Sequence, residues 1–473
     1  MIQGEKAYFN IGTVKAILYF LFSTLIICGP ALFNGFPLVF SDSGMYMASS
    51  FDLMPRVSRP IGYSIFIRCF SFQRSIWPVM YAQCLIMNFL IFKAITLIVQ
   101  TKLKYFVHFS IIILLVLLSS LGWYSCQIMP DIFTSGIILI IFIFISDKKL
   151  NILSSIVYLF LLVIFIISHY SNIPLTILIL LSLFIMILLK PDIFIKLKTA
   201  YLRLLFLTFS VGISMLFLMS FNYYHGKGFR MSTTSNVFTS ARFAENGILK
   251  KYLNDNCGKI NNELCNYKDS IPDNVNDFLW SDKALLTKMG YDFSKWESAD
   301  SILSPIIHNI LSSPKYLKFL FWEGIKGTLQ QLFKNDIGQG LVAFREKSAP
   351  YKEIKYKFSE DETNEFLNSL QNRGLLKFNN INLLNYVVLS FSIMIIFFGW
   401  YYEYLNRYAI ILTITSMLGI VYNAAIISTL SNIGDRKQAR LSWLVVLLAL
   451  IILYQVVIQI RKVISKKPHT FQS

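Results

Sequence analysis

Long apolar stretches recur along the chain and are separated by short polar segments. About ten of them suit a bilayer, since roughly 20 apolar residues cross its hydrocarbon core and a helix satisfies its own backbone hydrogen bonds there. The predicted spans are residues 14–34, 76–98, 105–122, 132–146, 151–168, 174–189, 203–222, 381–402, 408–429 and 441–460. The pattern therefore predicts an all-α polytopic membrane protein with about ten transmembrane helices.

A polar segment, residues 223–380, interrupts this series after the seventh span. Ser359 and Glu362 have the spacing of a helix capping box, and residues 313–333 are amphipathic, so the segment is predicted to be mainly helical. Three domains follow from this division. They are an N-terminal membrane module of seven helices at 1–222, an inserted outer domain at 223–380, and three helices with a tail at 381–473.

Lysine and arginine residues fix the predicted orientation. If the N-terminus is cytoplasmic, the basic loops near Lys102, Lys148 and Arg407 all face the cytoplasm, as membrane proteins prefer. The opposite loops 123–131 and 169–173 contain neither residue. Both termini are therefore predicted to be cytoplasmic, with residues 14–34 as an uncleaved first anchor and the segment 223–380 on the outer side.

Composition narrows the class of protein further. The chain has 473 residues, 55% hydrophobic, and a formal net charge of +18. The segment 223–380 holds 21 basic and 18 acidic residues, so most of the excess lies beside apolar spans. This distribution suits helix orientation against anionic lipid and indicates no nucleic-acid partner. Cys257 and Cys265 lie close together in the outer segment, where an oxidising compartment favours a disulfide.

Candidate chemistry gathers in the predicted outer loops. The first loop carries Asp42, followed by Arg56 and Arg59, and the second ends with Gln127 and Asp131. Each aspartate also occupies a possible helix N-cap position. For either aspartate alone, N-capping explains its presence about as well as a functional role does. Two acids at one membrane face favour a shared site, because ionisable residues not explained by topology mark function in membrane proteins.

Two further outer loops contribute polar groups. His169 closes the fifth span, where an interfacial role competes with substrate contact. The last outer loop carries Arg436, Lys437 and Arg440 against the positive-inside trend. Arginine can hold phosphate oxygens through paired donors, although anchoring to lipid headgroups explains these cations about as well.

Taken in order, these loops resemble the GT-C class of membrane glycosyltransferases, which includes protein mannosyltransferases, aminoarabinose transferases and O-antigen glucosyltransferases. The resemblance rests on Asp42 after the first span, on residues 59–63 behind it, on residues 127–131, on the 169–172 turn and on the arginine-rich last outer loop. It implies transfer from a polyprenyl-phosphate sugar to a glycan or lipid-linked acceptor, at the periplasmic face of a bacterial inner membrane.

The resemblance also implies roles for individual residues. Asp42 would be the catalytic base and Asp131 the second acid. The residues expected to bind substrate are Tyr46, Arg56, Arg59, Gln127, His169, Arg242, Glu245, Arg436, Lys437 and Arg440. For Arg242 and Glu245, a simple surface helix is an equally good explanation. Serines flank Asp42 where many members have a second acid, so the first loop alone is a poor metal site and dependence on Mg²⁺ or Mn²⁺ stays open.

Two rival functions share some of these features. An O-antigen polymerase or ligase would depend on outer arginine and histidine residues rather than on Asp42. A lipid-linked glycan transporter would need ionisable groups or broken helices near the midplane, which the predicted spans lack.

Overall fold

The structure, a computed structural model, describes residues 11–194 and 197–465. It is 74% helical, with no strand among the described residues. The predicted cytoplasmic ends at 1–10 and 466–473 lie outside the described residues. The α-helices are α1 (Ile11–Ile27), α2 (Gly29–Asn34), α3 (Ser43–Asp52), α4 (Gly62–Ser71), α5 (Trp77–Ile98), α6 (Lys104–Leu118), α7 (Leu121–Ser125), α8 (Asp131–Ser146), α9 (Ile152–Ile167), α10 (Asn172–Leu189), α11 (Leu197–Tyr224), α12 (Ser235–Glu245), α13 (Ile248–Asn256), α14 (Val275–Leu279), α15 (Leu285–Lys288), α16 (Trp296–Ser312), α17 (Pro314–Leu332), α18 (Ala349–Lys357), α19 (Glu360–Asn368), α20 (Asn379–Tyr401), α21 (Arg407–Leu430) and α22 (Arg436–Ser465). Short 3₁₀ helices cover Pro191–Ile193, Glu263–Ser270 and Phe293–Lys295.

Within the described part of the chain, six helices are long and apolar enough to cross a membrane, namely α5, α10, α11, α20, α21 and most of α22. Four shorter apolar helices accompany them, formed by most of α1 and by α6, α8 and α9. Each of the ten predicted apolar stretches overlaps one of these ten helices. The chain is thus consistent with a polytopic membrane protein.

The first predicted span is divided in the structure. α1 ends at Ile27 and α2 begins at Gly29, with Pro30 in its first turn. A continuous helix would need a backbone donor at Pro30, and proline has none. The third predicted span is divided in a similar way, because the backbone of Ser119 is extended between α6 and α7. The ends of both spans on the face that the sequence predicts to be outer, which we call the outer face, are therefore separate short helices.

Helix α8 lies at the centre of the membrane module. All of its residues are buried, and it packs against α5, α9, α21 and α22. Its sequence is almost continuously apolar from Ile132 to Ile145, as expected for a helix surrounded by other helices. The exception is Asp131 at its outer end, which places a carboxylate at the centre of the outer face.

The outer segment divides between two hydrophobic cores. Residues between Val237 and Leu320 form a core of their own. Residues between Ile337 and Phe366 pack instead into the main core of the membrane module. Cys257 and Cys265 form a disulfide in the first part. The predicted domain 223–380 is therefore one unit only up to about α17. Its second half, residues 337–371, packs on the membrane module, and we call this segment the roof.

Close backbone contact fixes this roof over the first outer loop. A Cβ atom on Gly44 would lie 2.6 Å from the carbonyl carbon of Ala349, so α3 can meet α18 only with glycine there. Ser359 accepts a hydrogen bond from Glu362 N at 3.2 Å, as the capping box predicts. The Glu362 carboxylate does not complete the box. It accepts hydrogen bonds from Ser75 and from Ile76 N, at the start of α5.

We expect Glu362→Ala to lower stability by about 1–2 kcal/mol, because the first amides of α5 would lose a buried charged acceptor. Asp361→Ala is the matched control, since Asp361 is exposed in the same first turn of α19. Thermal unfolding in detergent, followed by size-exclusion chromatography, measures the difference. Equal melting temperatures for the two variants would contradict this role of Glu362.

Candidate active site at the outer face

The first and second outer loops are joined by backbone hydrogen bonds. Leu38 N donates to Cys126 O at 2.9 Å, and Ile128 N donates to Leu38 O at 2.8 Å. Ser43 Oγ adds a bond to Ile128 O at 2.8 Å. Since Asp42 lies four residues after Leu38 and Asp131 lies three residues after Ile128, the pairing brings both carboxylates to one place.

Two glutamine side chains form hydrogen bonds to the backbone of these paired loops. Gln83 of α5 donates to Ser125 O at 2.6 Å and accepts from Tyr63 Oη at 2.9 Å. Gln371, in the roof, accepts from Val39 N at 3.1 Å and donates to Val39 O at 2.7 Å. No sequence pattern around either glutamine indicates this role.

Five charged side chains meet here, and we call them the acid–arginine cluster: Asp42, Arg59, Asp131, Arg436 and Arg440. Arg59 Nη2 lies 2.7 Å from Asp42 Oδ1. Arg436 lies between the two acids, with Nη2 3.6 Å from Asp42 Oδ2 and Nη1 3.5 Å from Asp131 Oδ2. Arg440 Nη1 lies 3.2 Å from Asp131 Oδ1. The cluster thus combines residues from the first and second outer loops and from the first turns of α22.

One end of the cluster is buried, and the other is partly exposed and is called its accessible edge. The side chains of Asp131 and Arg440 are 1% and 0% exposed. Those of Asp42 and Arg59 are 12% and 18% exposed. A ligand approaching from outside would therefore meet Asp42 and Arg59 first.

Neither aspartate acts as the helix cap that the sequence left as an alternative. Asp42 occupies the N-cap position of α3 without a side-chain cap hydrogen bond, and Asp131 is the first residue of α8. Burial opposes ionisation of Asp42, but the nearby guanidinium groups of Arg59 and Arg436 outweigh it and lower the pKa of this carboxyl below its usual value. Asp42 is therefore a carboxylate at neutral pH.

Arg436 is held in place by more than its ion pairs. Its guanidinium lies 3.9 Å from the centroid of the Phe40 ring, a cation–π contact. Gly340 packs on the same ring, where a Cβ atom would come within 1.8 Å of Phe40 Cε2, and its φ of +80° also favours glycine. Arg436 N donates to Gln339 Oε1 at 2.8 Å. The roof segment therefore orients this arginine.

Polar residues beyond the cluster complete its buried side. Arg440 Nη2 donates to Asn423 Oδ1 at 2.8 Å and to Ser171 Oγ at 3.4 Å. Ser171 Oγ is 2.8 Å from His169 Nδ1. Burial and the positive charge of Arg440 lower the pKa of His169 well below its usual value. His169 is thus a neutral imidazole at the edge of the site.

The remaining predicted residues divide into two groups. Tyr46 Oη and Gln127 Oε1 are buried and have no hydrogen-bond partner among the described residues. Lys437 closes the last loop by donating to Ser431 Oγ at 2.7 Å and to Asn432 O at 2.8 Å. These three residues lie with or beside the cluster.

Three other predicted residues have partners elsewhere. Arg56 pairs with Asp52 rather than with the cluster. Arg242 pairs with Glu245 and donates to Ser428 O at 2.6 Å, which fastens the outer domain to the end of α21. The contacts of Arg56, Arg242 and Glu245 are those of structural residues.

Sequence reasoning missed Asn423 and Phe40 as contributors. Asn423 is a buried amide within an otherwise apolar span, and that pattern marks a functional position in membrane helices. Phe40 gives no such indication, because an aromatic residue beside a membrane span is ordinary.

The residues present do not fit a divalent cation. Both carboxylates already face guanidinium groups, which would repel a metal ion at the same oxygens. Among the described residues, no group of three or more His, Cys, Asp or Glu side chains is arranged to hold a metal. The cluster is instead suited to an anion, because it carries three cationic and two acidic groups.

An apolar cavity of about 310 Å³ lies between the end of α6, helix α2 and the start of α20. Its walls include Pro30, Phe33, Leu117, Trp123 and Leu384. Ile337 also lines it, only two residues before the glutamine that binds Arg436 N. One roof segment therefore contacts both the cavity and the charged cluster.

A separate buried polar contact lies in the membrane module, between His108 of α6 and Tyr19 of α1, whose Nδ1 and Oη atoms are 2.6 Å apart. His108 is one turn from Lys104, where α6 begins on the predicted cytoplasmic side. It is therefore far along the helix from the outer cluster.

Comparison with known protein families, with characterised proteins and with solved structures finds no match to this chain.

We expect Arg440→Gln to destabilise the protein by about 3 kcal/mol or more, because the buried carboxylate of Asp131 would lose its closest cation. The double variant Asp131→Asn/Arg440→Gln removes both charges and should regain much of this loss. Arg56→Gln is the control and should cost less than about 1 kcal/mol, since its pair with Asp52 is exposed. Thermal unfolding in detergent gives all three values, and a double variant no more stable than Arg440→Gln would contradict this account.

Proposed function

We propose that the protein is an inverting glycosyltransferase that moves a sugar from a polyprenyl-phosphate donor to a cell-envelope glycan, of the O-antigen or lipopolysaccharide type. In this proposal the ten apolar helices all cross a bacterial inner membrane, both termini are cytoplasmic and the acid–arginine cluster faces the periplasm. The observation that carries the proposal is the cluster itself, which combines an accessible carboxylate with an excess of guanidinium groups at the outer face.

The charges suit the chemistry of a lipid-phosphate donor. When the bond between the anomeric carbon and the phosphate oxygen breaks, negative charge remains on the departing lipid phosphate. Arg59 and Arg436, at the accessible edge, are placed to stabilise that charge through paired donors. Arg440 serves mainly to hold Asp131, because both side chains are buried.

Asp42 is the group we assign to the acceptor. The acceptor hydroxyl would form the new bond to the anomeric carbon on the face opposite the phosphate, and its proton would pass to Asp42. A carboxylate with a lowered pKa is a weak base. It suffices where the transition state resembles an oxocarbenium ion, since the attacking hydroxyl then becomes acidic as the bond forms.

The apolar cavity suits the lipid part of such a donor. Its walls are mainly hydrophobic, and it shares the roof segment near Ile337 and Gln339 with the charged cluster. In the proposed orientation it lies towards the outer leaflet. An isoprenoid segment would find apolar contact there while its phosphate reaches the arginines. This juxtaposition supports a lipid-linked donor rather than a soluble nucleotide sugar.

We expect Asp42→Asn to reduce sugar transfer by about 100-fold or more, because the proton acceptor is lost. Asp52→Asn is the matched control, since Asp52 lies in the same short helix but pairs with Arg56. Mass spectrometry of envelope glycans, at matched membrane abundance, measures the added sugar.

One observation favours an O-antigen polymerase or ligase as a second candidate, namely the contact series from His169 through Ser171 to Arg440. A glycan change that survives Asp42→Asn but is lost in His169→Ala would replace the proposed function with this one. If no glycan changes even with the wild type, both candidates fail and transport becomes the function to test.

The pH dependence of transfer provides a separate prediction. The pKa of Asp42 is lowered, so its carboxylate form persists until the pH falls below the usual range for aspartate, and His169 stays neutral because its pKa is lowered as well. The rate should therefore be level between roughly pH 5.5 and pH 8. An acidic decline centred near pH 6.5 that disappears in His169→Gln would show that the histidine titrates.

A further inference from the structure

Helix α17 has three distinct faces. The buried face carries Tyr316, Leu320, Gly327 and Gln331. It packs on α21, where Thr328 Oγ1 lies 3.2 Å from Ser428 Oγ. The contact is at the last turns of α21, so α17 meets the outer end of this membrane helix.

The second face is apolar and uncovered. Phe321 is 61% exposed, Leu329 is 55% exposed and Phe333, just beyond the helix, is 77% exposed. The full apolar stripe is Leu317, Phe321, Trp322, Ile325, Leu329 and Phe333. Burying such side chains contributes about 1.5–3 kcal/mol each, so exposing this stripe to water would be costly.

The third face is polar and lies between the other two on one side of the helix. Glu323, Lys326 and Gln330 lie along it at helical spacing. A helix with an apolar stripe containing tryptophan beside a charged edge is typical of a segment that lies in the membrane interface. The polar edge would then face headgroups and water.

The apolar stripe continues onto the exposed apolar side of α20, a candidate membrane span. Tyr386 of α20 donates to Phe333 O at 3.3 Å and accepts from Asn335 N at 3.3 Å. Beside Tyr386, the side chains of Leu383 and Val387 are exposed on α20, one of the long apolar helices. The end of α17 therefore adjoins the exposed apolar side of a candidate span.

We propose that the apolar stripe of α17 inserts into the outer leaflet of the bilayer. The occupant of this face is the acyl-chain and headgroup region of lipid. Continuity with α20 supports lipid over a second copy of the chain, since a protein partner would also have to displace lipid from α20. The inference does not depend on the proposed glycosyltransferase activity.

The position of α17 also joins the bilayer to the acid–arginine cluster. Gln331 donates to Gly434 O at 2.9 Å and accepts from Gly434 N at 3.0 Å. Gly434 lies in the loop that leads into α22, two residues before Arg436. Seating α17 in the leaflet would thus set the height of this loop above the membrane surface.

Spin labels at two neighbouring positions test the proposal. Leu329→Cys reports the apolar stripe and Gln330→Cys reports the polar edge, both in a Cys69→Ser background because Cys69 is the exposed free cysteine among the described residues. Ile325→Cys provides a second label on the stripe. Each variant that elutes like the wild type is reconstituted into vesicles of phosphatidylethanolamine and phosphatidylglycerol, and collision with oxygen and with a soluble nickel chelate is measured.

We expect the label at Leu329 to collide several-fold more with oxygen and several-fold less with nickel than the label at Gln330, with Ile325 behaving like Leu329. Equal access of nickel to both faces would place α17 in water and overturn the proposal. Labels at Leu329 and Ile325 that are shielded from both reagents would mean that protein covers the stripe, which would overturn it equally.

Discussion

The outer face is organised by one electrostatic constraint, the burial of the Asp131 carboxylate at the end of α8. A carboxylate in so apolar a place is tolerated only with cationic partners and hydrogen-bond donors. Arg436 and Arg440 meet this need from the far end of the chain. Because Arg436 also reaches Asp42, neutralising one buried acid draws the first, second and last outer loops into a single arrangement.

This constraint acts together with ordinary packing. The central position of α8 fixes the height of Asp131, and the backbone pairing of Leu38 with Cys126 and Ile128 fixes the position of Asp42 relative to it. The roof then limits the freedom of Arg436 through Phe40 and Gln339. Charged groups held by so many independent contacts need little reorganisation when a ligand's charge changes, which is the condition for effective electrostatic stabilisation.

The apolar periodicity and the positions of charged loops sufficed to predict the helices. They also sufficed to place Asp42, Asp131, Arg59, Arg436 and Arg440 among the residues of one candidate site. Those features depend on local composition and on the chemistry of the membrane interface, which a single sequence contains. The sequence alone did not predict that Arg56 forms an ion pair with Asp52, or that Arg242 links the outer domain to α21 by a hydrogen bond to Ser428 O. Such choices depend on which groups tertiary packing brings near. The division of residues 223–380 between two cores was hidden for the same reason.

The low pKa of Asp42 limits what chemistry the cluster can assist. A base strong enough to remove a proton from an unactivated hydroxyl would need a raised pKa, which the two neighbouring guanidinium groups prevent. The same groups favour reactions in which an anion departs before the proton moves. The arrangement therefore suits substitution at a carbon that can itself bear positive charge, such as the anomeric carbon of a sugar phosphate, better than attack on a carbonyl group.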